Sequence, residues 1–253
     1  MTGSVDGAPE HAGSAQLLPM PTDFHRVLAI VAHPDDLEYG ASSAIAVWTD
    51  AGKTVAYVLV TRGEAGIDGI EPERCGPIRQ AEQIEAARCV GVEVVEFLDH
   101  RDGVIEHTLQ LRRDIAAAVR RHRPELIVML NHHDTWFGRN WNSPDHRNTG
   151  RAVLDAIGDA GNRWIFPELA ADGLEPFVGV RWVAVSGSAN TTHAVDVEPS
   201  LERAIASLEA HRTYLDALGG DMADARTFLT NSAASNGERF GGRLCAAFEL
   251  IAV

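Results

Sequence analysis

Two short stretches concentrate the residues able to do chemistry. AHPDDLEYG, residues 32 to 40, sets His33 just before the adjacent pair Asp35 and Asp36, and the distant PDH brings Asp145 and His146. Neighbouring carboxylates repel, so a half-buried site holding both needs solvent or a positive charge beside them. Imidazole nitrogen and carboxylate oxygen together suit Zn²⁺, and three protein ligands plus a position for water is the pattern of a catalytic site. A dication would hold one carboxylate and lower the cost of the other. The remaining aspartate is then available as general base. A plainer reading is equally compatible with these residues: His33-Pro34 as a rigid turn, with Asp35 and Asp36 capping the next helix.

The elements that must position these residues alternate between strand and helix. RVLAIVA (26–32) is a continuous apolar run of the kind covered on both faces of a parallel sheet. Residues 38–51 read as a helix stopping at Gly52, TVAYVLVT (54–61) as a strand, and IRQAEQIEAARCVGV as a helix ending at Gly91. VVEFL, LQLRRDIAAAVRRH and ELIVML continue the alternation as strand, helix and strand. The polar loop NHHDTWFGRNWNSPDHRNTG that follows is long for an α/β connection, which marks it as functional. Helix RAVLDAIGDA, a loop-like 161–179, strands RWVAVS and HAVDVE, one helix through LERAIASLEAHRTYLDAL, another near 223–233, and a strand LCAAFELIAV complete the chain. The expected fold is therefore α/β: a mostly parallel, Rossmann-like sheet flanked by helices in a single domain over 23–253. In such sheets ligands bind beyond the carboxyl ends of the strands, where His33, Asp35 and Asp36 fall and where the loop holding Asp145 and His146 begins.

At 253 residues and 45% hydrophobic composition, the chain is long enough for one large core. A net charge of -14 argues against binding nucleic acid or anionic membranes, which needs clustered Lys and Arg. No apolar stretch approaches the roughly 20 residues of a membrane span. Residues 1–22 lack the basic start and apolar segment of a signal peptide and read as a disordered tail. Three widely spaced cysteines offer neither a disulfide framework nor a CxxC pair. These features point to a cytoplasmic protein acting on a small molecule; self-association is left open.

HPDDLEYG, TRGEAG, RQAEQIEAARCVGV with FLDHRDG, and PDHRNTG resemble the successive motifs of the LmbE/PIG-L zinc-dependent deacetylase family. The likeness runs from about Arg26 to the C-terminus and takes in THAVDVE, LEAH and CAAFELI. It implies a Rossmann-like fold and hydrolysis of an N-acetyl group on an amino sugar or glycoconjugate. It also implies Zn²⁺, or another divalent ion, held by His33, Asp36 and His146. Asp35 would act as general base on the metal's water, and Arg79 and Asp102 would face the substrate sugar. The family's PDH is usually preceded by a histidine, whereas this chain has Ser143. A hydroxyl donates a hydrogen bond but supplies a proton less readily than imidazolium.

His132 and His133 are candidate replacements for that histidine, against loop-packing roles. His193 and His211 are expected to be structural, and Asp145 to cap its helix rather than orient a histidine. Glu64 is expected to shape the loop near the site, and Trp136 and Trp141 to form an apolar wall or anchor their loop. Two further functional readings stand beside the deacetylase: an amidase on a larger thiol or antibiotic conjugate, and a metal- or sugar-binding homologue weakened by Ser143. A nucleotide-binding module is the weakest, because no GxGxxG follows the first strand.

Overall fold

The computed structural model describes residues 15–136 and 139–253. The chain runs through β1 (Leu18–Pro19), β2 (Arg26–Val31), α1 (Ser42–Asp50), β3 (Thr54–Leu59), α2 (Pro72–Cys89), β4 (Val94–Phe97), α3 (Leu109–His122) and β5 (Leu126–Leu130). A small hairpin follows, β6 (Thr135–Trp136) with β7 (Asn140–Trp141), then α4 (Pro144–Gly161) and α5 (Pro167–Ala171). The last part holds β8 (Trp182–Ser186), β9 (His193–Asp196), α6 (Leu201–Glu209), α7 (Arg212–Leu218), α8 (Ala225–Gly237) and β10 (Cys245–Ala252).

The main sheet has the order β1-β9-β10-β8-β5-β2-β3-β4. From β8 to β4 every pairing is parallel, and β10 joins antiparallel to both β8 and β9. The mostly parallel, Rossmann-like sheet expected from the alternation is thus present. Strand β2 is buried at every position but Arg26. Its side chains alternate: Val27, Ala29 and Val31 join the core that includes Ile45 and Trp48 of α1, while Leu28 and Ile30 join Leu111, Ile115 and Val153 of α3 and α4. Successive crossovers leave β2 toward β3 on one side and bring β5 in on the other. The strand order reverses between β2 and β5, and this is where a doubly wound sheet opens a crevice.

Several boundaries differ from the sequence reading. The turn after β2 stays irregular until Ser42, so residues 38–41 do not begin the helix. Helix α4 starts at Pro144, seven residues before the expected Arg151, because Ser143 caps it: the Ser143 hydroxyl accepts from the His146 N–H at 3.2 Å, and Pro144 needs no N–H there. The single helix expected over 201–218 is broken at Ala210–His211 into α6 and α7. Residues 15–22 are not tail: Leu17 and Met20 are buried and Leu18–Pro19 pairs with β9. The rest of the expected tail, residues 1–14, lies outside the described residues. Among the described residues no helix is long and apolar enough to cross a membrane.

Candidate metal centre and active site

Two connections meet at the β2/β5 crevice. The β2–α1 turn supplies His33, Asp35 and Asp36, and the first turn of α4 supplies Asp145 and His146. Neither aspartate of the pair caps α1, whose N-cap position is Ala41 with no side-chain bond. Instead Asp36 Oδ2 accepts from the His33 backbone N–H at 2.9 Å, which folds the carboxylate back over the strand end.

His33, Asp36 and His146 converge. His33 Nδ1 lies 3.2 Å from His146 Nε2, His146 Nε2 lies 3.1 Å from Asp36 Oδ1, and His33 Nδ1 lies 3.6 Å from Asp36 Oδ2. A tetrahedral ion bonded at about 2.0–2.1 Å separates its ligand atoms by roughly 3.3 Å, so the triangle has the right size. The tautomers agree. His33 Nε2 faces Asp102 Oδ1 at 3.1 Å and Asp145 Oδ2 at 3.2 Å, so that nitrogen carries the proton. His146 Nδ1 faces Asn142 Oδ1 at 2.9 Å, an amide fixed by donating Nδ2 to the carbonyls of Asn131 and His133. Both rings therefore turn their other nitrogen toward the same point, where a cation, either a proton shared between the rings or a metal ion, has to sit. Burial alone would keep His33 neutral, yet Asp36, Asp102 and Asp145 together raise its pKa well above the ordinary value. Burial would also raise Asp36, but the imidazoles of His146 and His33 outweigh it and hold its carboxyl far below the usual range. The residues present fit a divalent ion.

Asp145 departs from expectation. It is buried, and its carboxylate accepts from the N–H groups of Gly103 (2.7 Å) and Ile105 (3.0 Å) besides facing His33. Ser143 does the capping, so Asp145 orients an imidazole.

Asp35 sits beside the triad but bonds elsewhere. Its carboxylate pairs with the Arg79 guanidinium, and Arg79 Nη2 also donates to Pro34 O at 2.6 Å. Arg79 is 2% exposed and lies 4.1 Å over the Tyr214 ring. Glycines of TRGEAG make room for it: a Cβ on Gly66 would stand only 2.1 Å from Arg79 Nη1. Burial pushes the Asp35 carboxyl up to about 6, against the opposing pull of Arg79. A base with a pKa near working pH can both take and return a proton.

Arg79 and Asp102 both line the cavity above the triad, yet their bonds run inward, to Asp35 and to His33 respectively. Asp102 is further held by the Ala65 N–H at 2.8 Å, and its own N–H donates to Glu64 Oε1 at 2.8 Å. Glu64 thus shapes the loop as expected. His132 and His133 line a separate small pocket with Arg151 and Asp155, not the cavity. They cannot stand in for the missing histidine there. Trp136 forms a cavity wall, its ring edge-on to His146 at 5.7 Å, whereas Trp141 lies outside with 67% exposure. Sequence reasoning missed Asn142, Gln83 and Glu38. Asn142 carried a signal, an amide four residues before a candidate ligand; the other two act through contacts that spacing does not show.

The cavity measures about 1310 Å³ and runs from the triad past Gly40 and Gly187 to α8, with Tyr39, Leu201, Phe228 and Leu229 along its wall. A doubly wound sheet whose crevice brings two imidazoles and a carboxylate to one point, with a raised-pKa carboxylate alongside, forms an α/β site able to hold a metal ion. The comparisons place it further. The GlcNAc-PI de-N-acetylase (PIG-L) family matches residues 28–157, and the chain belongs to that family. The diacetylchitobiose deacetylase of Thermococcus kodakarensis is 29% identical over 197 residues, covering 76% of this chain and 70% of the relative. The structure of N,N'-diacetylchitobiose deacetylase from Pyrococcus horikoshii, with its inhibitor MPG, superposes with a TM-score of 0.78 at 26% identity, over 90% of this chain and 84% of that one. The 4-carboxy-2-hydroxymuconate hydratase GalB of Pseudomonas putida shares the fold (TM-score 0.70, 18% identity, 90% and 96% covered). A common fold therefore does not decide the chemistry, and the site must.

Proposed function

We propose that the protein is a metal-dependent N-deacetylase acting on an N-acetylated amino sugar within a larger molecule. The observation that carries this reading is the convergence of two imidazole nitrogens, His33 Nδ1 and His146 Nε2, 3.2 Å apart beside Asp36. His33, Asp36 and His146 hold the ion, with Zn²⁺ the natural occupant of two nitrogens and one oxygen. Bound there, it would polarise the acetamide carbonyl and acidify water. Asp35 takes a proton from the attacking water and returns it to the leaving amine, so that acetate and the free amine are released. Its ion pair with Arg79 keeps the carboxylate in place between these steps. Ser143 lines the cavity, and its oxygen is engaged by the His146 N–H, leaving its O–H free to donate. Arg79 and Asp102 form the wall that a sugar would meet.

The diacetylchitobiose deacetylases support an amino-sugar substrate. The cavity volume supports one larger than a single sugar, since pockets for drug-sized ligands span about 300–1,000 Å³ and this one exceeds that. The test is a deacetylation screen over free N-acetylglucosamine, its disaccharide and glycosides with bulky aglycones, with metal content measured on the same preparation. Bound divalent metal and acetate release, fastest from the larger compounds, are expected. Metal-free protein that is inactive after Zn²⁺ addition would refute the reading.

A further inference from the structure

Asp35 has a backbone φ of 81°, in the left-handed region that L residues seldom adopt, aspartate and asparagine more readily than most. Such a residue persists where its surroundings over-determine it. One anchor is Arg79, on the carboxylate. The other is a buried side-chain sequence that the hydrolytic reading does not use. The Asp35 N–H donates to Gln83 Oε1 at 3.0 Å, and Gln83 Nε2 donates to Glu38 Oε1 at 3.0 Å. His211 Nε2 lies 3.5 Å from the other oxygen of Glu38.

Gln83 is almost wholly buried, and Glu38 and His211 are fully so. Glu38 Oε2 and both ring nitrogens of His211 find no hydrogen-bond partner among the described residues. A buried carboxylate and imidazole with unmade bonds are costly, and an apolar pair of similar volume would generally stabilise the core better. Their placement supplies a reason. Gln83 can accept from Asp35 only while its amide oxygen points that way. Reversing the amide would set NH₂ against the Asp35 N–H and a carbonyl oxygen against the Glu38 carboxylate. Glu38 therefore fixes the sense of Gln83, and His211 faces Glu38 from behind. His211 gets there because the α6–α7 helix breaks at Ala210–His211, and the same α7 carries Tyr214 over Arg79. The two helices thus reach Asp35 by both routes: through Arg79 to its carboxylate, through His211, Glu38 and Gln83 to its N–H.

We infer that Gln83, Glu38 and His211 are positioning residues for the base, holding the backbone of Asp35 in its left-handed conformation so that its carboxylate faces the metal centre. This rests on the reading of Asp35 as the base.

The experiment compares the metal-loaded parent with Gln83→Leu, His211→Leu, His211→Gln and the Gln83→Leu/His211→Leu double variant. Gln83→Met, which keeps the length without either bond, replaces Gln83→Leu if that variant does not fold. Gln83→Leu is expected to lower kcat tenfold or more, with KM within threefold and metal content unchanged. His211→Leu should lower kcat in the same direction, and His211→Gln, whose amide can face Glu38 in place of the imidazole, should recover most of it. The double variant should be no slower than Gln83→Leu, because members of one unit are not additive. A crystal structure of Gln83→Leu should show Asp35 leaving positive φ or its carboxylate turned away. A kcat within threefold of the parent, multiplying losses in the double variant, or an unmoved Asp35 would each overturn the inference. An inactive parent would overturn the functional reading instead, while the Asp35 backbone in the variant crystal would still decide the positioning role.

Discussion

Among the described residues, two pairs of neighbouring imidazoles are built very differently. His33 and His146 come from connections 113 residues apart, yet their facing nitrogens stand 3.2 Å from each other. His132 and His133 are consecutive and stack with ring centroids 4.4 Å apart. In the first pair each outer nitrogen has an oxygen behind it, from Asp102 and Asp145 for one ring and from Asn142 for the other. In the second, His133 is tied to Glu249 at 2.8 Å, but His132 Nδ1 is buried without a partner among the described residues, and burial lowers its pKa. Proximity of histidines does not make a metal site. An oxygen acceptor behind each ring prepares one, because it occupies the outer nitrogen and leaves the inward one to a cation.

The sharpest way to break this contrast is to exchange ligands for alanine in both pairs. Asp36→Ala and His146→Ala should each lose bound metal and lower deacetylase turnover by about 10³-fold or more. His132→Ala and His133→Ala should keep parental metal content and activity within threefold. Elemental analysis and steady-state kinetics on the same samples read both. Next comes Asp35→Asn, expected to retain the metal and lose about 10²–10⁴ in kcat, the usual scale of general-base catalysis. In the parent, kcat/KM should fall as pH drops through the region at or below about 6, where the buried Asp35 carboxyl takes up a proton and ceases to be a base. A flat profile from pH 8 to 4.5 would remove Asp35 from that role.

Smaller effects test the acceptors behind the rings. Asp145→Asn should weaken metal affinity about 10–100-fold, measured by competition with a chelator, since such partners typically contribute that much. Affinity equal to the parent's would mean that Asp102 alone orients His33. Smallest of all, Ser143→Ala removes a helix cap and should cost about 1 kcal/mol in denaturant unfolding, or about 2–4 °C in Tm for a chain of this size, with metal content unchanged. A loss of turnover far beyond that would give the Ser143 hydroxyl a chemical part of its own.

Much of this was legible beforehand, for identifiable reasons. The HPDD turn and PDH were readable because they sit at strand ends where ligands gather, and helix α3 matched residue for residue, from Leu109 to His122, between a capping Thr108 and a left-handed Arg123. What could not be read depends on partners far along the chain. Asp145 looks like a cap in sequence and becomes a support for His33 through Gly103 and Ile105, 42 and 40 residues away. The break at His211 is invisible to apolar periodicity, because a buried carboxylate rather than a hydrophobic surface faces it. Residues 15–22 looked like tail because their composition is mobile in type, while the sheet edge that receives Leu17 and Met20 is formed by β9 and β10, near the other end of the chain.

The placement of His33, Asp36 and His146 across the β2/β5 crevice also bears on how the protein comes into being. Its donors are separated by 110 residues between Asp36 and His146, so no local segment can gather them. During synthesis the ion would find only part of its site until β5 has docked beside β2 and the first turn of α4 has closed over them, a contact of high sequence separation and therefore a slow one. Once bound, an ion with affinity for the native state alone stabilises it by mass action. Such an ion would act as a clasp across the middle of the sheet, and metal supply would then bear on the lifetime of the folded chain as well as on its turnover.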